Sequence, residues 1–253
     1  LYYNYRDISE KGTEVRTGTQ YTPDGSPNLS DLTFLPKAGF TGSVQIGYEG
    51  TDSRGKTFRG QIRIQVNQGS GSRYFQDMGS YAWAAPYVDL LYEAGVITGT
   101  GGQRYRPADA VSRGDFMLML YRAFQLTPAS GAGFPDVPPG SYYAQAIQAA
   151  RAAGIASGYP DGGFHPQEPV TRQDAMVLLE RTMQATGWSL GAANTGYLSG
   201  FRDGGMVAPY AQEAMSHMIE YGIITGTPEQ KLNPIQSISR AEMAVMLARA
   251  ITF

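Results

Sequence analysis

Three arginines, Arg113, Arg172 and Arg240, hold equivalent places in three similar stretches of this 253-residue chain. Their settings are Ser112-Arg113-Gly114-Asp115, Thr171-Arg172-Gln173-Asp174 and Ser239-Arg240-Ala241-Glu242. A hydroxyl followed three residues later by a carboxylate is a capping box, which puts each arginine in the first turn of a helix. There a planar guanidinium fork lies beside unpaired backbone N–H groups and the positive end of the helix dipole. The chemistry this predicts is anion binding, with a carboxylate held by guanidinium and backbone donors together. The alternative for each arginine is an ion pair with a carboxylate of a neighbouring repeat. Gly99, Gly158 and Gly226, each in a loop ahead of its arginine, are the second choice, because glycine lets backbone approach a sugar ring closely. Tyr105, Phe164, Trp83 and Tyr142 offer aromatic faces for such a ring. Arg122, Arg181 and Arg249 fall late in the same helices, where a cation suits the C-terminal dipole, and read as structural.

The elements that must position these groups recur three times. The copies read Gly95-Val96-Ile97-Thr98-Gly99, Gly154-Ile155-Ala156-Ser157-Gly158 and Gly222-Ile223-Ile224-Thr225-Gly226. Six residues past the second glycine come Tyr105, Phe164 and Leu232, and two further on Pro107, Pro166 and Pro234. Such fixed offsets mean one supersecondary unit used three times. Each unit is predicted to carry a first helix of about a dozen residues that ends at its first glycine. Trp83, Val88, Leu91 and Tyr92 lie along the first of these, Tyr143, Ile147 and Ala150 along the second, and Tyr210, Ala214, Met218 and Ile219 along the third. The helix that starts at each arginine is apolar over more than a stripe, as in Phe116, Leu118, Met119 and Leu120. Those helices are expected inside, so the prediction is a mainly α, pseudo-threefold bundle of three inner and three outer helices.

Composition narrows the field. With no cysteine there is neither a disulfide nor a thiolate metal site, and His165 and His217 fall in different repeats, so no metal site and no cofactor are expected. A net charge of −2 without a basic stripe argues against a nucleic-acid partner. No apolar run reaches the ~20 residues a membrane helix needs. Neither a nucleophile elbow nor a phosphate-cradling loop occurs, and nothing places Asp161 and Glu168 across a sugar as a hydrolase pair. Arg113-Gly114-Asp115 spells an adhesion tripeptide by coincidence. Leu1 begins mid-pattern without a signal peptide, which predicts a fragment of something longer.

Residues 1–68 read as β. Ser43–Tyr48 and Gln61–Val66 alternate with period two around the turn residues Asp52-Ser53-Arg54-Gly55, which predicts a hairpin. Tyr2, Tyr3, Tyr5 and Leu32-Thr33-Phe34-Leu35 suggest further strands, punctuated by Pro23, Gly25, Pro27, Pro36 and Gly39. The expected form is a small antiparallel β-sandwich, and Phe40–Val66 resembles bacterial immunoglobulin-like or cadherin-like spacer modules. A linker at 69–74, overlapping the polar run Gln68–Ser72, then leads to repeats at 75–127, 134–187 and 201–253.

Each repeat opens with a phenylalanine two residues before an aspartate: Phe75-Gln76-Asp77, Phe134-Pro135-Asp136-Val137 and Phe201-Arg202-Asp203. Together with the Gly-Ile-Val-x-Gly-like stretch and the capping boxes, closest to Thr-Arg-Ala-Glu in Ser239-Arg240-Ala241-Glu242, the unit resembles the S-layer homology repeat. The resemblance implies a noncatalytic extracellular module, a monomer with internal pseudo-threefold symmetry, that anchors a bacterial surface protein to the cell wall. Its implied partner is a secondary cell-wall polymer carrying pyruvylated N-acetylmannosamine, whose ketal carboxylate is bound in grooves between repeats. It adds Asp77, Asp136 and Asp203 as third-choice ligand residues, for which capping of the first helix is the simpler role. A structural S-layer lattice or protein–protein module is the competing reading, and an enzyme whose catalytic domain lies upstream is a third. Gly114 in place of the usual alanine and Tyr210 in place of a tryptophan predict unequal grooves.

Overall fold

The computed structural model describes residues 2–3, 13–14, 32–33, 42–51, 54–66, 71–131 and 133–252. The chain divides into two compact units, Leu1–Gly69 and Ser70–Phe253.

In the first unit, β1 (Tyr2–Tyr3) lies between β2 (Thr13–Glu14) and β3 (Leu32–Thr33) in an antiparallel sheet. The sequence pattern gave no sign of β2. The predicted hairpin is present and longer than expected, β4 (Gly42–Thr51) pairing with β5 (Thr57–Val66). Val44 faces Ile64 and Ile46 faces Ile62 on its half-buried side, while Gln45, Glu49, Arg59 and Arg63 are exposed. Period-two alternation in the sequence becomes a two-sided ribbon, as the pleat demands. Of the expected sandwich, the described residues give these two separate antiparallel sheets. Tyr5, Phe34, Leu35, the punctuating Pro23, Gly25, Pro27, Pro36 and Gly39, the turn residues Asp52 and Ser53, and Gln68, Gly69 and Ser70 of the connector lie outside them.

The second unit holds α1 (Ala85–Glu93), α2 (Arg113–Ala123), α3 (Ala144–Ala152), α4 (Arg172–Ala185), α5 (Gln212–Glu220) and α6 (Arg240–Thr252). The first helix of each copy is nine residues long, shorter than predicted. Trp83 therefore stands ahead of α1, in a tight turn closed by Ala84 N–H donating to Tyr81 O. Each of these helices stops at its glycine. Gly95 and Gly154 have φ of 69° and 71°. Gly95 N–H reaches Tyr92 O while Val96 N–H reaches Leu91 O, the paired bonds of a Schellman stop, and Gly154 and Ile155 repeat them on Arg151 and Ala150. The connector ends fixed, since Ser72 Oγ donates to buried Asp89 on α1 and Arg73 N–H reaches the same carboxylate at 2.9 Å.

The helices interlock between copies. α3 packs on α2, α5 on α4, and α1 on α6, so the first helix of each repeat covers the second helix of the repeat before it, cyclically. The second helices are buried on several sides, α6 with Ala241, Met243, Ala244, Val245, Met246, Leu247, Ala248 and Ala250. At their starts three equivalent residues form a closed cycle. Val111 N–H donates to Ile238 O at 3.0 Å, Ile238 N–H to Val170 O at 3.1 Å, and Val170 N–H to Val111 O at 2.9 Å. All three side chains are buried.

The two glycines of a repeat carry different loads. A Cβ on Gly154 would meet nothing within 4 Å, so only its backbone conformation resists substitution. A Cβ on Gly158, with φ of 80°, would also lie 2.6 Å from the Phe134 ring and 2.9 Å from Gly163 O. We expect Gly154→Ala to cost about 1 kcal/mol and Gly158→Ala about 2–4 kcal/mol, measured by urea unfolding of the two variants side by side.

Candidate ligand groove between the repeats

Capping is confirmed in atomic detail. Ser112 Oγ accepts from Asp115 N–H at 3.1 Å, Thr171 Oγ1 from Asp174 N–H at 3.2 Å, and Ser239 Oγ from Glu242 N–H at 3.2 Å. Only the third is a full box, with Glu242 Oε2 accepting from Ser239 N–H at 2.9 Å, because glutamate is long enough to reach back.

The helix starts do not, however, present free donors to an anion. Arg113 N–H donates to Glu168 O and Gly114 N–H to Pro166 O. Arg172 and Gln173 donate to Gln236 and Pro234, and Arg240 and Ala241 to Asp109 and Pro107. The next repeat, counted cyclically, thus takes the two donors that the capping hydroxyl leaves. The expected anion corner of guanidinium plus backbone N–H is replaced by a seam between repeats, which leaves only side-chain donors at these corners. Gly114 belongs to that seam: a Cβ there would lie 3.0 Å from both Pro166 O and the Tyr143 ring.

The aspartates also have a different task from the helix capping expected of them. Asp77 accepts from Tyr105 N–H at 2.9 Å and Arg106 N–H at 2.8 Å. Asp136 does the same for Phe164 (2.9 Å) and His165 (2.7 Å), and Asp203 for Leu232 (2.7 Å) and Asn233 (2.8 Å). Arg106, His165 and Asn233 all have φ between 51° and 59°, so each carboxylate fixes a left-handed bend. The glycines complete the loop, Gly99 and Gly226 lying as close under Phe75 and Phe201 as Gly158 does under Phe134. Arg122, Arg181 and Arg249 donate to Val96, Ile155 and Ile223 O at 3.4, 3.4 and 3.2 Å. They fasten the segment after the first helix rather than the end of their own.

Each candidate arginine approaches the loop of the next repeat, and there the three copies part. Arg113 is 7% exposed, donates from Nε to Phe164 O at 3.1 Å, and lies 4.7 Å from the Tyr159 ring and 5.0 Å from that of Phe164. Arg240 lies 4.5 Å over Tyr105 and donates to Tyr105 O at 2.7 Å and Thr98 O at 3.1 Å. Arg172 meets Leu232 at the equivalent place, which has no π face to stack on. Its Nη2 instead donates to Glu242 Oε1 at 2.6 Å, and Nη1 lies 3.5 Å from Met246 Sδ. The ion-pair alternative holds for this one arginine.

The third contributor to each groove is an aromatic from the remaining repeat, just ahead of its first helix. Tyr142 Oη donates to Asp115 Oδ1 and Tyr210 Oη to Asp174 Oδ1, both at 2.7 Å. Burial, then the adjacent carboxylate, pushes each phenol up to about 12, so both remain donors at neutral pH. In the third groove the equivalent residue is Trp83, which has no hydroxyl and, at 46% exposed, is less open than Tyr142 (67%) and Tyr210 (60%). There a cavity of about 440 Å³ opens, lined by Trp83, Arg172, Glu242, Leu232, Gly226 and Thr227 among others. Of the predicted site residues, Arg172 and Gly226 line this cavity. Trp83 was foreseen as an aromatic platform, and Glu242 was foreseen only as a cap.

Both histidines are held by carboxylates. His165 sits between Asp161 (2.7 Å) and Glu168 (2.9 Å), whose hydrogen bonds, Asp161 first, raise its pKa. His217 is buried against Glu180 on α4. No cluster of metal-ligating residues occurs, and no helix is long and apolar enough to cross a membrane, among the described residues.

The aspartate braces set a pH dependence. Against the upward push of burial, the backbone N–H groups hold the Asp77 and Asp136 carboxyls below their usual range. A lowered folded-state pKa stabilises above the unfolded value and is lost as pH falls through the folded one. The melting temperature should therefore fall below about pH 4. Asp77→Asn/Asp136→Asn should melt lower at pH 7 and show a flatter acid limb in calorimetry across pH 2–7.

Comparison with known proteins agrees with this architecture. The S-layer homology domain pattern matches residues 74–117, 133–176 and 200–244, more than half of the chain. The chain is 28% identical over 69% of its length to an endoglucanase of Bacillus sp. (strain KSM-635), of which the match covers 18%. It is 29% identical over 70% of its length to the surface-layer 125 kDa protein of Lysinibacillus sphaericus, covering 14% of that protein. With the exoglucanase XynX of Acetivibrio thermocellus the figures are 29%, 65% and 15%. The chain spans less than a fifth of these curated relatives. Three matched repeats, in S-layer and cell-surface company, place it in the S-layer homology domain family as a cell-surface protein anchored at the cell wall.

Proposed function

We propose that the three repeats form a pseudo-threefold, noncatalytic anchor that binds a carboxylated secondary cell-wall polymer of the pyruvylated N-acetylmannosamine type. The observation that carries this reading is the cavity beside Arg172, Glu242 and Trp83. Arg172 already binds a carboxylate there at 2.6 Å, which is the contact a ketal carboxylate would make. Trp83 offers a half-exposed indole face on which the apolar side of a sugar ring can pack. Thr225 and Thr227 lie at the same cavity and supply hydroxyls for a polyhydroxylated ligand. Arg113, Arg240, Asp77, Asp136, Asp203, Gly99 and Gly158 act in this reading as framework, shaping loops rather than touching glycan. The β module, 1–68, serves as a spacer.

Sedimentation with isolated Gram-positive walls tests the reading. The full chain should bind walls that keep their secondary polymer and lose about tenfold or more of that binding once the polymer is chemically removed. Arg172→Ala should lose a similar factor on intact walls. Undiminished binding to stripped peptidoglycan would contradict a carboxylate anchor and favour a lattice or protein–protein role.

A further inference from the structure

We propose that this chain holds its polymer in one groove only, that of Arg172, Leu232 and Trp83, while in the two equivalent grooves the arginine and the aromatic hydroxyl are latched by contacts within the protein. The proposal rests on the function proposed above and concerns how many of the three pseudo-equivalent sites carry it.

The comparison is internal, position by position. Where the loop residue is aromatic, as in Phe164 and Tyr105, the arginine from the preceding repeat lies over its ring and donates to its carbonyl. A guanidinium so placed has its Nε committed to the loop carbonyl and its face to the ring, which leaves a ligand carboxylate only the outer Nη edge. Over the same grooves, Tyr210 and Tyr142 reach the capping carboxylates of Asp174 and Asp115 at 2.7 Å. Each tyrosine thus joins the groove's far wall and spends its hydroxyl there.

The Arg172 groove, between repeats 2 and 3 (groove 2–3), differs from the Arg113 groove, between repeats 1 and 2 (groove 1–2), in all three parts. Leu232 cannot draw Arg172 into a stack, and Trp83 has no phenol to engage the capping carboxylate. Glu242 replaces the aspartate and is longer by one methylene, so it reaches Arg172. What remains is a cation facing a cavity, holding a carboxylate that a ligand's carboxylate can exchange for. That exchange replaces one charge-assisted contact by another, whereas in either other groove a ligand must fit around an arginine already held by a loop carbonyl and a ring. Leu232, Trp83 and Glu242 are accordingly the residues that decide which groove works.

Calorimetric titration of the full chain with the methyl glycoside of pyruvylated N-acetylmannosamine tests the proposal, with melting temperature as the check on folding. The wild type should bind one equivalent. Re-creating the latch in groove 2–3 with Trp83→Tyr/Leu232→Phe/Glu242→Asp should weaken binding about tenfold or more at a retained melting temperature. Opening groove 1–2 with Phe164→Leu/Tyr210→Trp/Asp174→Glu should raise the stoichiometry towards two. Two or three equivalents in the wild type would overturn the single-groove proposal while leaving carboxylated-glycan binding intact, as would full-strength binding by the folded latched variant. A wild type that ignores the glycoside would overturn the underlying function and this proposal with it.

Discussion

Everything in the helical unit depends on the cycle of three backbone hydrogen bonds joining Val111, Ile238 and Val170. Each residue gives its N–H to one neighbour and its carbonyl to the other, so no member can be satisfied without both. Buried backbone groups left unpaired cost free energy comparable to a lost hydrogen bond, which makes the closure cooperative. The cycle fixes where each second helix begins, two residues later. It thereby brings those helix starts against the prolyl loops of the next repeat, whose carbonyls take their first N–H groups. Fold closure and loss of the helix-terminal anion sites are one event.

Once the backbone donors are spent, what distinguishes the grooves is side chains that the repeat does not constrain. The arginine, the capping acid, the loop residue and the aromatic before the first helix occur in every copy, at the same offsets. Three of those four positions change type in the groove at Arg172: leucine for an aromatic ring, tryptophan for tyrosine, glutamate for aspartate. The seam hydrogen bonds are unaffected, since they are made by backbone. The repeated backbone seam is therefore kept while the side chains of one groove differ. The aspartate braces belong to the symmetric part, fixing the left-handed bend of every loop whether or not its groove is open.

Much of this was legible in the sequence because it is local. The glycine stops, the capping hydroxyls and the β4–β5 hairpin depend on residues close in sequence and are where their patterns put them, whereas Trp83, Tyr143 and Tyr210, read as helical, precede α1, α3 and α5. The misses share a cause in distance along the chain. Asp77 meets Tyr105 and Arg106 across an entire helix and loop, so a carboxylate near a helix start looked like a cap. The donors of Arg113 and Gly114 are taken by carbonyls more than fifty residues away, which no local pattern displays. Trp83 fitted a helical period but falls in the turn before α1. The inequality of the grooves was expected from Gly114 and Tyr210. The tyrosine–tryptophan difference is one of its parts, joined by Leu232 and Glu242, whereas Gly114 is explained by the Tyr143 ring above it.

The central claim is that an acidic sugar exchanges with Glu242 for Arg172 beneath Trp83. A crystal structure of the full chain grown with pyruvylated N-acetylmannosamine glycoside tests it most directly. The account predicts one sugar, its carboxylate on the Arg172 fork, its ring against Trp83 and Glu242 turned away, with the Tyr142–Asp115 and Tyr210–Asp174 contacts unchanged. Sugar density at Arg113 or Arg240, or at Arg172 with the Glu242 pair still closed, would contradict it.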